Sequence, residues 1–151
     1  MMNTLWKRKA AAAVLAVLIP AGGTVMASDD PAADAAAMKQ ITAGARQLGQ
    51  FAPQFAELND KVLFGEVWSR TDKMPLHDRS MITVTALVAS GILDSSLRHH
   101  IATARANGVT REEMTELLTQ TAFYAGWPKA WAAFRIALEV YGEGEAAPGK
   151  A

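Results

Sequence analysis

The stretch "LLTQTAFYAGWPKAWAAF", residues Leu117–Phe134, decides how the rest of the chain is read. Met114, Leu117, Leu118, Thr121, Ala122 and Ala125 recur three and four residues apart, as on one face of a helix. Gly126 supplies a stop, and Pro128 suits the first turn of a new helix, where its missing N–H costs nothing. In that second helix Trp131, Phe134, Leu138 and Tyr141 form a stripe, while Ala130, Ala133 and Ala137 let a neighbour approach closely. Gln120 borders the apolar arc, which raises the question of whether this wall is only core or also lines a site.

The same helix punctuation recurs upstream. Thr110-Arg111-Glu112-Glu113 reads as a capping box, in which threonine and Glu113 satisfy each other's backbone donors. Asp94 is placed as the N-cap of the preceding helix, and Asn107-Gly108 as its stop. Leu76 to Ser90 is nearly all apolar beyond its first turn, which predicts a helix covered on most sides, ended by Gly91. Met38, Ile41, Ala45 and Leu48 predict a first helix ending near Gly49. Pro53 opens a short second one carrying Phe55, Leu58 and Val62, and "FGEVWSR" a third short segment before the turn "TDKMP". Nowhere is there the long period-2 alternation of a half-buried strand. The fold class is all-α, with six or seven helices.

A chain of 151 residues with half its residues hydrophobic suits one domain with its own core. Lys+Arg and Asp+Glu balance at 15 each, so no basic excess points to nucleic acid. The first 27 residues read as a secretory signal: Lys7-Arg8-Lys9, an apolar run Ala10–Ile19 too short to span a bilayer comfortably, a break, then Val25-Met26-Ala27 before the cut. The alternative is an uncleaved N-terminal anchor. Loss of Lys7, Arg8 and Lys9 leaves 12 basic against 15 acidic groups, a net charge of −3. The expected location is periplasmic or secreted, with no stable membrane span after cleavage. Residues 28–37 read as a disordered leader, 38–142 as the domain and 143–151 as a flexible tail. There is no cysteine, which excludes thiol catalysis, disulfides and thiolate metal sites.

Candidate chemistry is sparse. His100 falls among Leu97, Ile101 and Ala104, so it is either a structural histidine or a proton-transfer group. His77 and His99 are expected to be exposed, and three histidines so spaced do not suggest a metal. Arg79 and Arg70 need a carboxylate such as Asp78, Asp72 or Glu66, or else an anionic ligand. Trp68, Tyr124 and Trp127 read as core or as ligand contacts with a polar end. No phosphate loop, nucleophile elbow or HExxH is present.

Taken in order, "LFGEVWSR", "LHDRSMITVTAL", "LRHHIATARANGVTREEM" and "AFYAGWPKAWAAF" resemble the carboxymuconolactone decarboxylase family over about Phe51 to Tyr141. The resemblance implies an all-helical fold of the alkyl hydroperoxidase D type, with an antiparallel helix pair at its heart and assembly into trimers or hexamers. It also implies a choice of two chemistries. The thiol peroxidase branch uses Cys-x-x-Cys before a histidine. With His100 as that histidine, the two positions fall on Leu93 and Ser96, so that chemistry is excluded here. The decarboxylase branch acts without a cofactor on a small carboxylated lactone or oxo-acid. By resemblance, Arg79 is its cation and His100 its acid, with Glu66, Trp68, Arg70, Gln120 and Tyr124 binding substrate. Many relatives carry histidine where this chain has Gln120, which cannot transfer a proton at ordinary pH. A non-catalytic exported oligomer that binds a small anion is the alternative.

Overall fold

The structure, a computed structural model, describes residues 27–142. The stretches expected to be a secretory signal (1–27) and a flexible tail (143–151) lie outside the described residues, apart from Ala27. The described residues are helical throughout, with no strand among them.

Where composition predicts a disordered leader, the chain forms α1, Pro31–Met38. Asp30 caps it by accepting from the Ala32 N–H at 2.9 Å, and buried Asp34 accepts from the Ser28 N–H at 2.8 Å. A small-residue acidic sequence thus folds because its own carboxylates satisfy the helix start. The single helix expected to end near Gly49 is broken after α1, and α2 spans Ala43–Leu48. The break has a remote cause. Asp60 accepts the Gly44 and Ala45 N–H groups at 2.8 Å each, capping α2 from outside the segment. Gly44 allows this approach: a Cβ there would stand 2.8 Å from the Ala56 carbonyl oxygen.

The two short segments expected after Pro53 are one continuous helix. Its start, α3 (Pro53–Glu57), passes directly into a π-helical run, Leu58–Trp68. These helices pack on one another as an N-terminal arm, and Thr71 Oγ1 donates to the Pro31 carbonyl at 2.5 Å to tie α1 to the turn that follows.

Four longer helices make the body: α4 (Leu76–Ser90), α5 (Ser95–Ala106), α6 (Arg111–Ala125) and α7 (Trp127–Gly142). Gly91 at φ 78° and Gly108 at φ 87° close α4 and α5 in the left-handed region that glycine tolerates. Asp94 caps α5, and Thr110 with Glu113 forms the expected capping box on α6. Helix directions follow from the contacts between ends. Asn107 at the end of α5 bonds Ser80 at the start of α4, and His77 at the start of α4 meets Glu113 at the start of α6. Lys129 at the start of α7 donates to the Ala89 carbonyl at the end of α4, at 2.7 Å. The body is therefore an up-down-up-down four-helix bundle with α4 and α5 as an antiparallel hairpin.

Its core joins Val84 and Val88 of α4, Leu97 and Ile101 of α5, Met114 and Leu118 of α6, and Ala133 and Ala137 of α7. One expectation needs correction. α4 is not covered on most sides: it buries Leu76, Ser80, Val84 and Val88, while Ile82 faces outward. On α7 the alanines meet the neighbouring helices as the sequence suggests, together with Val140, while the stripe divides: Phe134 and Tyr141 pack against the core, and Trp131 and Leu138 stand exposed.

Candidate functional site

His100 sits one and a half turns into α5, on the side that carries Leu97, Ile101 and Ala104, all fully buried. The imidazole is half-buried and makes no hydrogen bond among the described residues. Burial, and secondarily the neighbouring His99, hold its proton affinity below that of an ordinary histidine. The two rings stand edge to face, 5.2 Å apart, with His99 exposed as expected. His100 is thus an uncharged imidazole with an uncommitted ring, the form that can accept a proton.

Arg79 occupies the first turn of α4, with its side chain directed back toward the helix start. Its Nε donates to the Met74 carbonyl at 3.2 Å and an Nη to the Arg70 carbonyl at 3.1 Å. Among the described residues no carboxylate pairs with it: of those suggested by sequence, Asp78 bonds His77, Asp72 bonds Lys73, and Glu66 makes no ion pair. Burial, and then the positive charge of Arg70, weaken its hold on its proton. Arg70 and Glu66 are exposed, and Trp68 is half-buried with Phe64 6.0 Å away.

The bundle divides the predicted residues between its two ends. Ser80 lies level with Asn107, and His100 is seven residues before Asn107, so Arg79 and His100 are offset by about 12 Å along the axis at 1.5 Å per residue. Arg79 also points away from His100. Gln120 and Tyr124, both exposed, belong to the last two turns of α6, toward the end where α5 begins. One chain therefore places His100, Gln120 and Tyr124 in one half, and Arg79, Arg70, Trp68 and Glu66 at the other end.

Two features were not legible as site chemistry. His77, expected to be exposed, is held between Asp78 Oδ1 at 2.8 Å from Nδ1 and Glu113 Oε2 at 3.2 Å from Nε2. Asn107, read only as a helix stop, is buried in the α4–α5 seam. Its Oδ1 and the hydroxyl of Thr103, one turn earlier, are fully buried polar atoms without a protein partner. His100, Thr103 and Asn107 are spaced three and four apart and share one face of α5. That spacing was visible in "HHIATARANG", but threonine and asparagine on a helix carry no signal of their own without the seam they enter. Among the described residues, no group of three or more His, Cys, Asp or Glu side chains could hold a metal ion, and no helix is long and apolar enough to cross a membrane.

An all-helical bundle built on an antiparallel α4–α5 hairpin and lacking any thiol is a cysteine-free fold of the alkyl hydroperoxidase D-like class. Within that class the chain belongs to the carboxymuconolactone decarboxylase family, whose model matches residues 53–139. It is also similar to a 4-carboxymuconolactone decarboxylase of Acinetobacter baylyi, at 37% identity over 112 residues covering 74% of this chain and 82% of that one.

Proposed function

We propose that the protein carries out cofactor-free decarboxylation, or a related proton transfer, on a small carboxylated lactone or oxo-acid, with His100 as the proton-transfer group. The reading extends the chain's family membership and its likeness to a 4-carboxymuconolactone decarboxylase. The observation that carries it is the half-buried His100 imidazole, on the helix side of Leu97, Ile101 and Ala104, with no hydrogen bond among the described residues.

Loss of carbon dioxide leaves an electron pair that a conjugated lactone carbonyl can absorb, so the substrate serves as its own electron sink. What the protein must supply is a dry surface and a proton for carbon. An anionic substrate beside His100 offsets the burial that keeps the ring neutral, and raises its proton affinity where the proton is needed. Gln120 and Tyr124, in the same half of the bundle, can orient the substrate by hydrogen bonds but not replace the histidine. Arg79 of the same chain does not reach a single-ring lactone held at His100.

Purified protein should turn over carboxymuconolactone, and His100→Gln should lower kcat by about 10²–10⁴-fold. Equal rates for the two proteins would remove His100 from the mechanism. A second reading, non-catalytic binding of a small anion, is favoured by a different observation: Arg79 and Arg70 adjoin at the start of α4, and neither forms an ion pair among the described residues. Under that reading, carboxylates raise the melting temperature of wild type and of His100→Gln equally, without turnover. For location, the N-terminal sequence supports export; cleavage at Ala27 in a secreting host, read by N-terminal sequencing, tests it.

A further inference from the structure

Asp34, in the first turn of α1, is only 6% exposed. Among the described residues, the hydrogen bond it accepts comes from the main-chain nitrogen of Ser28, at 2.8 Å. No basic side chain among those residues pairs with it. A buried ionised carboxylate is costly unless a counter-charge or several donors meet it. One neutral amide is a thin complement, and the start of a helix adds only roughly half a unit charge. The site has the form of a receptor for a cation, and the atom already in it is a nitrogen.

That nitrogen is held from one side. The Ser28 hydroxyl donates to the Asp30 carbonyl at 3.0 Å and accepts the Asp30 N–H at 3.2 Å, a closed local turn. Thr71 Oγ1 fixes the next carbonyl, that of Pro31. These contacts all lie after Ser28 in sequence, so the nitrogen keeps its place when the residues before it are removed. Ala27–Ser28 is also the bond at which the sequence places the export cut, after Val25-Met26-Ala27. Other charges surround the site. Asp29, Asp30 and Lys39 lie on the same segment, and the turn around Thr71 carries Arg70 with the paired Asp72 and Lys73. The π-helical run packed on α1 carries Lys61, paired with Glu57, Glu66, and Asp60, committed to the Gly44 and Ala45 N–H groups.

We propose that Asp34 is the counter-ion of the processed N-terminus: once the chain is cut after Ala27, the Ser28 α-ammonium pairs with it and locks α1 in place. The proposal rests on the reading of residues 1–27 as an export signal. In the cut, catalysed by a signal peptidase, water adds across the Ala27–Ser28 amide. The C–N bond breaks, the hydroxyl goes to the Ala27 carbonyl carbon, and the hydrogen goes to the Ser28 nitrogen. The freed amine takes a further proton from solvent, since an α-amino group has a pKa of about 7.7–8.0. A neutral donor thus becomes a charged one on the same atom, and charge-assisted bonds are roughly twice as strong as neutral ones. Pairing raises the α-amino pKa, so the contribution is full below about 7.7 and fades as pH climbs through the folded value. Processing then does more than remove a targeting segment: it completes the arm.

Two chains decide it: one released from a fusion so that Ser28 is its first residue, and one that keeps Met26-Ala27. At about pH 6, backbone amides 35–38 of α1 should exchange about tenfold more slowly in the first chain, the equivalent of one pKa unit. Asp34→Asn, which keeps an acceptor oxygen and drops the charge, should erase that difference. Equal exchange in the two chains, or a difference that persists in Asp34→Asn, overturns the proposal. The α-amino midpoint, followed by NMR in the chain that starts at Ser28, gives a second readout should Asp34→Asn unravel α1. It should lie about one unit above the ordinary 7.7–8.0, and a midpoint at or below that range defeats the pairing. N-terminal sequencing of the chain from a secreting host separates the two layers of the argument. A first residue other than Ser28 defeats the export cut and leaves Asp34 without its ammonium. Ser28 at the start with an unshifted midpoint defeats the pairing alone.

Discussion

Asn107 donates from Nδ2 to Ser80 Oγ at 2.9 Å across the seam between α4 and α5, with both residues almost wholly buried. Ser80 passes its own proton back to the Leu76 carbonyl at 2.8 Å. This is a polar bond in an otherwise apolar contact, and it marks the register of the hairpin that carries both His100 and Arg79. Ser80→Ala removes the acceptor and strands a buried amide donor, so stability should fall by about 1–3 kcal/mol. Thr103→Val, which deletes an orphaned hydroxyl, should leave stability unchanged or raised. Urea unfolding of both variants, followed by circular dichroism, checks the contrast. Equal losses would mean that the seam does not distinguish a bonded group from an unbonded one.

The pair of carboxylates around His77 requires a proton on each ring nitrogen, because a neutral imidazole would turn one lone pair toward a carboxylate oxygen. The hydrogen bond that the ring donates to Asp78 raises its proton affinity above the ordinary value of 6.5; burial opposes this, and Glu113 adds to it. Glu113 in turn is held down to about 2 by the Thr110 N–H first, and by His77. A raised folded pKa contributes stability below pH 6.5, and that contribution fades as pH climbs through the folded value. His77→Gln should therefore destabilise the protein at about pH 5.5 and much less at about pH 9. Melting temperatures across that range decide it; a pH-independent difference would sink the clamp.

His100 behaves in the opposite sense. Its folded affinity lies below 6.5, so the unfolded chain takes up the proton first and stability drops as pH falls below that value. Proton NMR of the ring should show a midpoint below 6.5, moving upward when a small carboxylate binds beside it. A midpoint that ignores saturating carboxylate would argue against an anion site at this ring.

In the arm, Asp60 is the pin. Burial pushes its carboxyl up, but the N–H groups of Ala45 and Gly44 and the Asn59 amide outweigh it and lower it overall. Asp60→Ala should leave the α2 start uncapped and cost about 1–2 kcal/mol, lost progressively from wild type as acid titrates the carboxylate. Gly44→Ala should destabilise as well, since its methyl group meets backbone at Ala56 rather than a side chain that can swing away. Hydrogen exchange at Gly44 and Ala45 is the direct measurement: slow in wild type and fast in Asp60→Ala.

Local rules carry far in this chain because its helix ends are written in short-range chemistry. Asp94, the Thr110–Glu113 box, Gly91, Gly108 and Pro128 mark boundaries through bonds within a few residues, and these stand in the structure where the sequence places them. The face of α6 and the buried face of α5 follow from a 3.6-residue period for the same reason. The absence of thiols settles by composition that no Cys-x-x-Cys chemistry operates.

What folding in three dimensions alone decided are the relations between segments distant in sequence. Asp60 breaks the first helix from about 15 residues away, and Glu113 reaches His77 from another helix. The stripe on α7 is divided by its neighbours, Phe134 packing against the core and Trp131 left exposed. The separation of His100 from Arg79 has the same origin: it depends on the direction and register of two antiparallel helices, which only the Ser80–Asn107 contact makes visible. Capping and periodicity are properties of adjacent residues, whereas the meeting of two side chains is set by how whole helices lie against each other.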